Sequence, residues 1–195
     1  GGLRPVDIDA VVAHVRSLSD QPSPQDPRPR RWVGGDAAAG STVYKDSCAS
    51  CHGPNGQGAE GPALNNAVLL RAATDTYLVE TIRRGRRGTS MPAFSAASTT
   101  HAVLSASEIE SIVAFMRTWE KIISAYDKGD VLQGKITRRI KGGLVVDLMG
   151  IDAFLPGSQI DIRPVRDFDQ YLGKTMDFKV AKVNHPNENV VVSHK

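Results

Sequence analysis

Ile8, Val11, Val12, Val15 and Leu18 recur at helical spacing and form one apolar stripe near the N-terminus. Four prolines between Ser19 and Arg31 interrupt it, so this stretch reads as an extended, solvated linker. A second helical pattern begins near Ala37 and runs to Cys48. Gly53–Pro62 is rich in glycine and reads as loop, Thr74–Arg84 as a short helix, and Gly85–Ser98 as loop again. Ser105-Ala-Ser-Glu108 is a capping box. It opens a stripe at Ile109, Ile112, Val113, Met116 and Trp119 that continues in register through Ile122, Ile123 and Tyr126. One unbroken helix from about Ser107 to Tyr126 is expected, with Gly129 as its stop. Beyond Gly129 the period becomes strand-like. Val-rich runs at 131–140, 144–148, 176–183 and 190–192, separated by glycine turns, suggest about five strands in a small closed barrel.

The sequence also echoes itself. Displaced by 101 residues, Ile8 meets Ile109, Val12 meets Val113, Ala13 meets Ala114 and Arg16 meets Arg117. Any two amphipathic helices share some of this. The alternative is that residues 1–18 are a remnant helix closing an upstream copy of the middle unit.

Composition narrows little. The 195 residues are 41% hydrophobic and 23% charged, with a net charge of +3, mildly basic and diagnostic of no one partner. No apolar run approaches the roughly 18 residues of a spanning helix. No charged segment followed by an apolar core reads as a signal peptide. The two cysteines, Cys48 and Cys51, are too close in sequence to be a disulfide framework.

Those cysteines carry the explicit chemistry. Cys48-Ala-Ser-Cys51-His52 places two thiols and an imidazole within a helical turn and a half. That is what covalent haem attachment requires: thioethers to two vinyl groups and a nitrogen ligand to iron. The competing reading, a thioredoxin-like redox pair, needs a βαβ context, whereas this motif follows a helix and precedes a glycine loop. Met91, in Gly88-Thr-Ser-Met91-Pro92, is the candidate sixth ligand, because packing poorly explains a methionine flanked by glycine and proline. Met116, Met149 and Met176 read as packing residues, and His14, His101, His185 and His194 as surface residues. Arg83, Arg84, Arg86 and Arg87 precede Met91 and read either as a solvated loop or as a positive rim that steers an acidic redox partner.

With Gly40, Tyr44, Gly61-Pro62-Ala-Leu64 and Met91-Pro92-Ala-Phe94 added, residues 36–118 resemble a class I cytochrome c. The resemblance implies an all-α domain with haem c as cofactor and His52 and Met91 as axial metal ligands. It also implies that the other ring nitrogen of His52 donates to the carbonyl of Pro62, and that Gly40, Tyr44 and Phe115 are core residues. The expected activity is electron transfer without catalysis of its own, in a periplasmic or other extracytoplasmic location.

Residues 119–195 resemble a different family, the repeat of ribosomal protein S1, an oligonucleotide-binding (OB) fold. The matching stretches are Gly129–Ile136, Lys141–Leu148, Ala153–Ser158, Arg163–Asp167 and Asn189–Ser193. Residues 119–128 form a linker helix and 129–195 the barrel. The resemblance implies RNA or ribosome binding in the cytoplasm. Lys135, Arg138, Arg139 and Lys141 are the candidate phosphate contacts. Typical repeats carry aromatics where this chain has Lys141 and Leu144, and a common histidine where it has Pro156, which argues against base stacking.

The expected architecture is therefore multi-domain α plus β: a remnant helix, a Pro-rich linker over 19–35, an all-α cytochrome domain, and a five-stranded OB barrel. The two compartments conflict, so the sequence reads as a fusion or chimera with a small, weakly fixed contact between its halves. The primary reading is an electron carrier with the barrel as passenger. The alternative is an RNA- or ribosome-binding module with the cytochrome part as passenger.

Overall fold

The computed structural model describes residues 4–18, 26–163, 165, 167–184 and 189–195. His185, Pro164, Arg166 and residues 19–25 of the linker lie outside them.

Among the described residues, six α-helices precede five strands. Helix α1 spans Pro5–Ser17, α2 Ala37–Ser47, α3 Ala49–His52, α4 Ala67–Ala72, α5 Asp75–Arg84 and α6 Ala106–Lys128. The strands are β1 Val131–Ile140, β2 Gly143–Leu148, β3 Ile151–Pro156, β4 Thr175–Asn184 and β5 Asn189–Ser193. They close a barrel in the order β1-β2-β3-β5-β4. Four of the pairings are antiparallel, and β3 runs parallel to β5. Helix α4 has no apolar period long enough to be read from sequence; its start is set by Asn66, whose side chain accepts from the amides of Val68 and Leu69.

Local chemistry explains the helix ends. Asp36 caps α2 and Thr74 caps α5. Ser105 and Glu108 form both bonds of the expected capping box at α6, and Gly129 ends that helix at φ 74°. Helix α6 is unbroken through Arg117–Lys121. Its 23 residues span about 34 Å at 1.5 Å per residue.

Helices α2 and α6 cross with backbones in contact. A Cβ on Gly40 would lie 1.9 Å from the carbonyl oxygen of Ser111, so only glycine allows this approach. Tyr44 and Phe115 pack beside the crossing with ring centroids 5.1 Å apart. The described proline-rich residues 26–31 are all exposed, yet their end is tied to the helices. The amides of Trp32 and Val33 donate to Asp75, and Arg31 donates to the carbonyls of Leu70 and Ala73.

The junction between helices and barrel also departs from the expectation of a small, weakly fixed contact. Buried residues of both halves join in one apolar core. Trp119, Ile122, Ile123 and Ala125, on the second half of α6, are all buried. The β2–β3 turn reaches back to the helices. Gly150 accepts from the Ser41 hydroxyl at 3.0 Å, and Met149, at φ 54°, accepts from Thr118 at 3.4 Å. Helix α1 differs: Val6, Ile8, Val11, Val12, Val15 and Leu18 are all exposed.

Candidate functional site

Helices α2 and α3 deliver the thiols and imidazole to the wall of a cavity of about 630 Å³. Cys48, Cys51, His52, Pro62 and Met91 all line it, and Ile112 and Met116 of α6 form part of its apolar wall. This volume lies within the ~300–1,000 Å³ of ligand and cofactor sites. Met116 is buried and lines the same cavity as Met91, whereas Met149 and Met176 lie in the barrel half.

His52 is buried, and its Nδ1 lies 2.8 Å from the Pro62 carbonyl oxygen. A carbonyl only accepts, so Nδ1 carries the proton and Nε2 keeps its lone pair. The same bond fixes the orientation of the ring. Gly61 makes this possible, since a Cβ there would stand 2.8 Å from His52 Cε1. Tyr44 donates to the Gly53 carbonyl at 3.0 Å and ties α2 to the loop after the motif.

The Met91 loop is anchored to α5. The amides of Phe94 and Ser95 donate to Ile82 and Arg83, and Arg86 donates to the Met91 carbonyl. Gly85, at φ 65°, lies where a Cβ would strike Pro92. Met91 itself is half-buried against the core.

Both cysteines are free thiols. Burial, and then the neighbouring Cys51, pushes the Cys48 thiol up to about 12. A thioredoxin-type pair needs the opposite, a thiol pushed down toward neutrality. A thioether-forming cysteine against an apolar wall has no such need. The donors are an imidazole with a free Nε2, a soft thioether and two thiols facing one apolar cavity, and they fit a haem c.

Of the arginines before Met91, Arg83 and Arg84 pair with Glu80 at 2.9 and 2.6 Å. Arg86 and Arg87 are exposed and make no ion pair among the described residues. His14 is exposed. His101 packs on Phe94 with centroids 4.8 Å apart, and His194 on Phe178 at 5.8 Å.

On the barrel, Lys135, Arg138 and Arg139 lie along β1 and Lys141 on the β1–β2 turn, all exposed. They do not form one free cationic row. Arg138 pairs with Asp152 at 2.8 Å, and Arg139 lies 3.4 Å from Asp169.

Residues 35–116 match the model of the family described as cytochrome c oxidase, cbb3-type, subunit III. Residues 126–195 match that of the S1 RNA binding domain. The chain joins a cytochrome c domain to an S1 domain. Over the S1 part it is 48% identical to small ribosomal subunit protein bS1 of Chlamydia trachomatis across 79 residues, and 46% identical to that of Neisseria meningitidis across 77. Each alignment covers 40% of this chain and only 14% of the relative. Among solved structures, 34% of the chain aligns with an a/eIF2alpha-aDim2p-rRNA complex from Pyrococcus horikoshii, at 24% identity, TM-score 0.32 and 43% coverage of that chain. GSP13 from Bacillus subtilis aligns at 23% identity and TM-score 0.31, covering 34% of this chain and 53% of that one.

One feature of the S1 domain was not legible in its sequence. Phe168 and Tyr171, on the segment between β3 and β4, are half-buried with cations over their rings. Arg139 lies 5.4 Å from the Phe168 centroid and Lys174 5.3 Å from that of Tyr171. Arg139 and Phe168 are 29 positions apart, so no local pattern signals the pair.

Proposed function

We propose that the cytochrome c domain holds one covalently attached haem c and serves as a one-electron carrier rather than an enzyme. The observation that carries this is the placement of His52, tethered through Nδ1 to Pro62, and Met91 on one apolar cavity with Cys48 and Cys51 on its wall. A bound haem would supply reversible one-electron chemistry at iron. The chain's own residues fix the imidazole, present a thioether and line the cavity with Ile112 and Met116, and Cys48 and Cys51 would hold the group through two thioethers. Arg86 and Arg87 form a positive rim suited to an acidic redox partner.

The test is expression with a haem-ligation system, followed by haem staining after denaturation. Wild type should retain haem, and the Cys48→Ser/Cys51→Ser variant should not. Wild type without retained haem sinks the proposal. Met91→Ala should keep the haem attached but lower the reduction potential and open the sixth position. An unchanged potential and reduced spectrum would remove Met91 from the ligand set.

A second reading concerns the S1 domain. Its family and its exposed cations support binding of single-stranded RNA, and its bS1 relatives suggest a ribosomal setting. Haem attachment points to an extracytoplasmic compartment and ribosome binding to the cytoplasm, so we rank the electron carrier first. The core shared across α6 favours one folded body over two pieces joined by accident.

A further inference from the structure

Resting on the RNA-binding reading of the S1 domain, we infer that its base-stacking platform has moved. It lies on the segment between β3 and β4, where Phe168 and Tyr171 with Arg139 and Lys174 form a site for single-stranded RNA.

Strand topology builds the site. Strand β4 pairs with β1 only over Val131–Lys135. A bulge then shifts the register of β1 between Ile136 and Arg138. Past that point β1 is met by the end of the preceding segment: Gly173 donates to the Ile136 carbonyl, and Ile136 donates to that of Lys174. Phe168–Lys174 therefore lies along the second half of β1, and Arg139 from β1 reaches over the Phe168 ring.

Phe168 also occupies a telling position. A Cβ on Gly157 would fall 2.7 Å from its Cζ, so the ring packs directly on that glycine. Gly157 in turn donates to Gly142 in the turn that follows Lys141, and it follows Pro156, which pairs with Gly143. The ring thus packs at Gly157 and the Gly142 turn, next in sequence to Pro156 and Lys141, where the chain lacks the expected histidine and aromatic. The aromatic surface missing from one element is supplied by another.

The chemistry suits stacked bases better than a protein partner. Two ring faces are held by packing, and each has a cation beside it. Exposed Lys141 adds charge at the near turn. A base can stack on the planar Arg139 guanidinium, itself backed by Phe168, or on Tyr171, while Lys174 and Lys141 meet phosphates. Asp167 accepts from the Asp169 amide, and Asp169 lies 3.4 Å from Arg139. They oppose simple charge attraction, so the site depends on stacking more than a purely cationic surface does.

The full chain is titrated into a fluorescein-labelled single-stranded RNA of about 12 nucleotides, within the span one such barrel occupies, and anisotropy is read at several salt concentrations. Phe168→Leu keeps apolar volume and charge but removes the ring. Arg139→Gln changes an exposed side chain. Lys182→Gln, on the other half of β4, is the charge-matched control, and thermal melting reports folding. Phe168→Leu and Arg139→Gln should each weaken binding about tenfold, within the range for losing one stacked base. Phe168→Leu should leave the salt dependence unchanged, and Lys182→Gln should cost about twofold or less. If Phe168→Leu melts early, the comparison of Arg139→Gln with Lys182→Gln decides. Equal losses in those two, or wild-type affinity in Phe168→Leu and Arg139→Gln, overturn this site and leave the RNA reading standing. Wild type that binds no RNA overturns both.

Discussion

Arg117→Met removes the centre of a buried polar knot. Arg117 Nε lies 2.8 Å from Asp75 Oδ1, and the two side chains are 9% and 3% exposed. The guanidinium also donates to the carbonyls of Leu70 and Ala73 and pairs with Glu120 at 3.1 Å. Methionine keeps much of the volume but takes away the buried carboxylate's cation, leaving Asp75 the amides of Trp32 and Val33, while Leu70 and Ala73 keep their bonds from Arg31. Breaking one side of such a pair costs about 3–5 kcal/mol. For a chain this size each kcal/mol shifts the melting temperature by roughly 2–4 °C, so a fall of roughly 6–20 °C is expected. Burial alone would push the Asp75 carboxyl up, but the amides of Val33 and Trp32 and the hydrogen bond and charge of Arg117 outweigh it and hold the group below its ordinary value. A depressed carboxylate contributes stability above its unfolded pKa of about 3.9, and that contribution is lost as pH falls through the folded value. In Arg117→Met the carboxyl loses that support and takes up a proton more readily. The gap between variant and wild type should therefore be widest near neutral pH and narrow below about pH 4. Melting followed by far-ultraviolet circular dichroism between pH 3 and pH 7 reads both effects. A loss under about 1 kcal/mol at neutral pH, or a gap that widens on acidification, would refute this account.

Gly40→Ala should destabilise by about 3 kcal/mol or more, since α2 and α6 must part; a melting temperature near wild type would contradict the close crossing. Gly150→Ala, at φ +94° and 3.0 Å from Ser41 Cβ, should cost about 1–3 kcal/mol and separate the melting of cytochrome c domain and barrel. A single transition at the wild-type temperature would show that the docked turn does not matter. Trp119→Phe removes a buried indole N–H that has no acceptor among the described residues. Stability should hold within about 1 kcal/mol or rise, and a larger loss in denaturant unfolding would imply an unseen partner. Removing residues 1–18 should leave haem retention and melting unchanged, because the α1 stripe is exposed; a loss above about 2 kcal/mol would make α1 integral.

What could be read from the chain is what neighbouring residues determine. The Cys48–His52 spacing is covalent and local. The Ser105–Glu108 box, the unbroken α6 stripe and the strand periods express hydrogen bonding and pleat within a few residues. The position of Met91 followed from glycines and a proline that packing alone does not explain. Tertiary structure decided contacts between residues far apart in sequence. Asp75 gathers the amides of Trp32 and Val33 and the guanidinium of Arg117, so the residues that follow the solvated stretch are tied to α5 and α6. The Met149–Gly150 turn docks at Ser41, 109 positions away, and merges two bodies expected to be nearly separate. Phe168 reaches the neighbourhood of Lys141 and Pro156 only because β4 stops pairing with β1 at Lys135 and the preceding segment takes its place. Periodicity reports which face of an element is apolar, but not which distant element covers it. That choice is made by the summed packing of the whole chain.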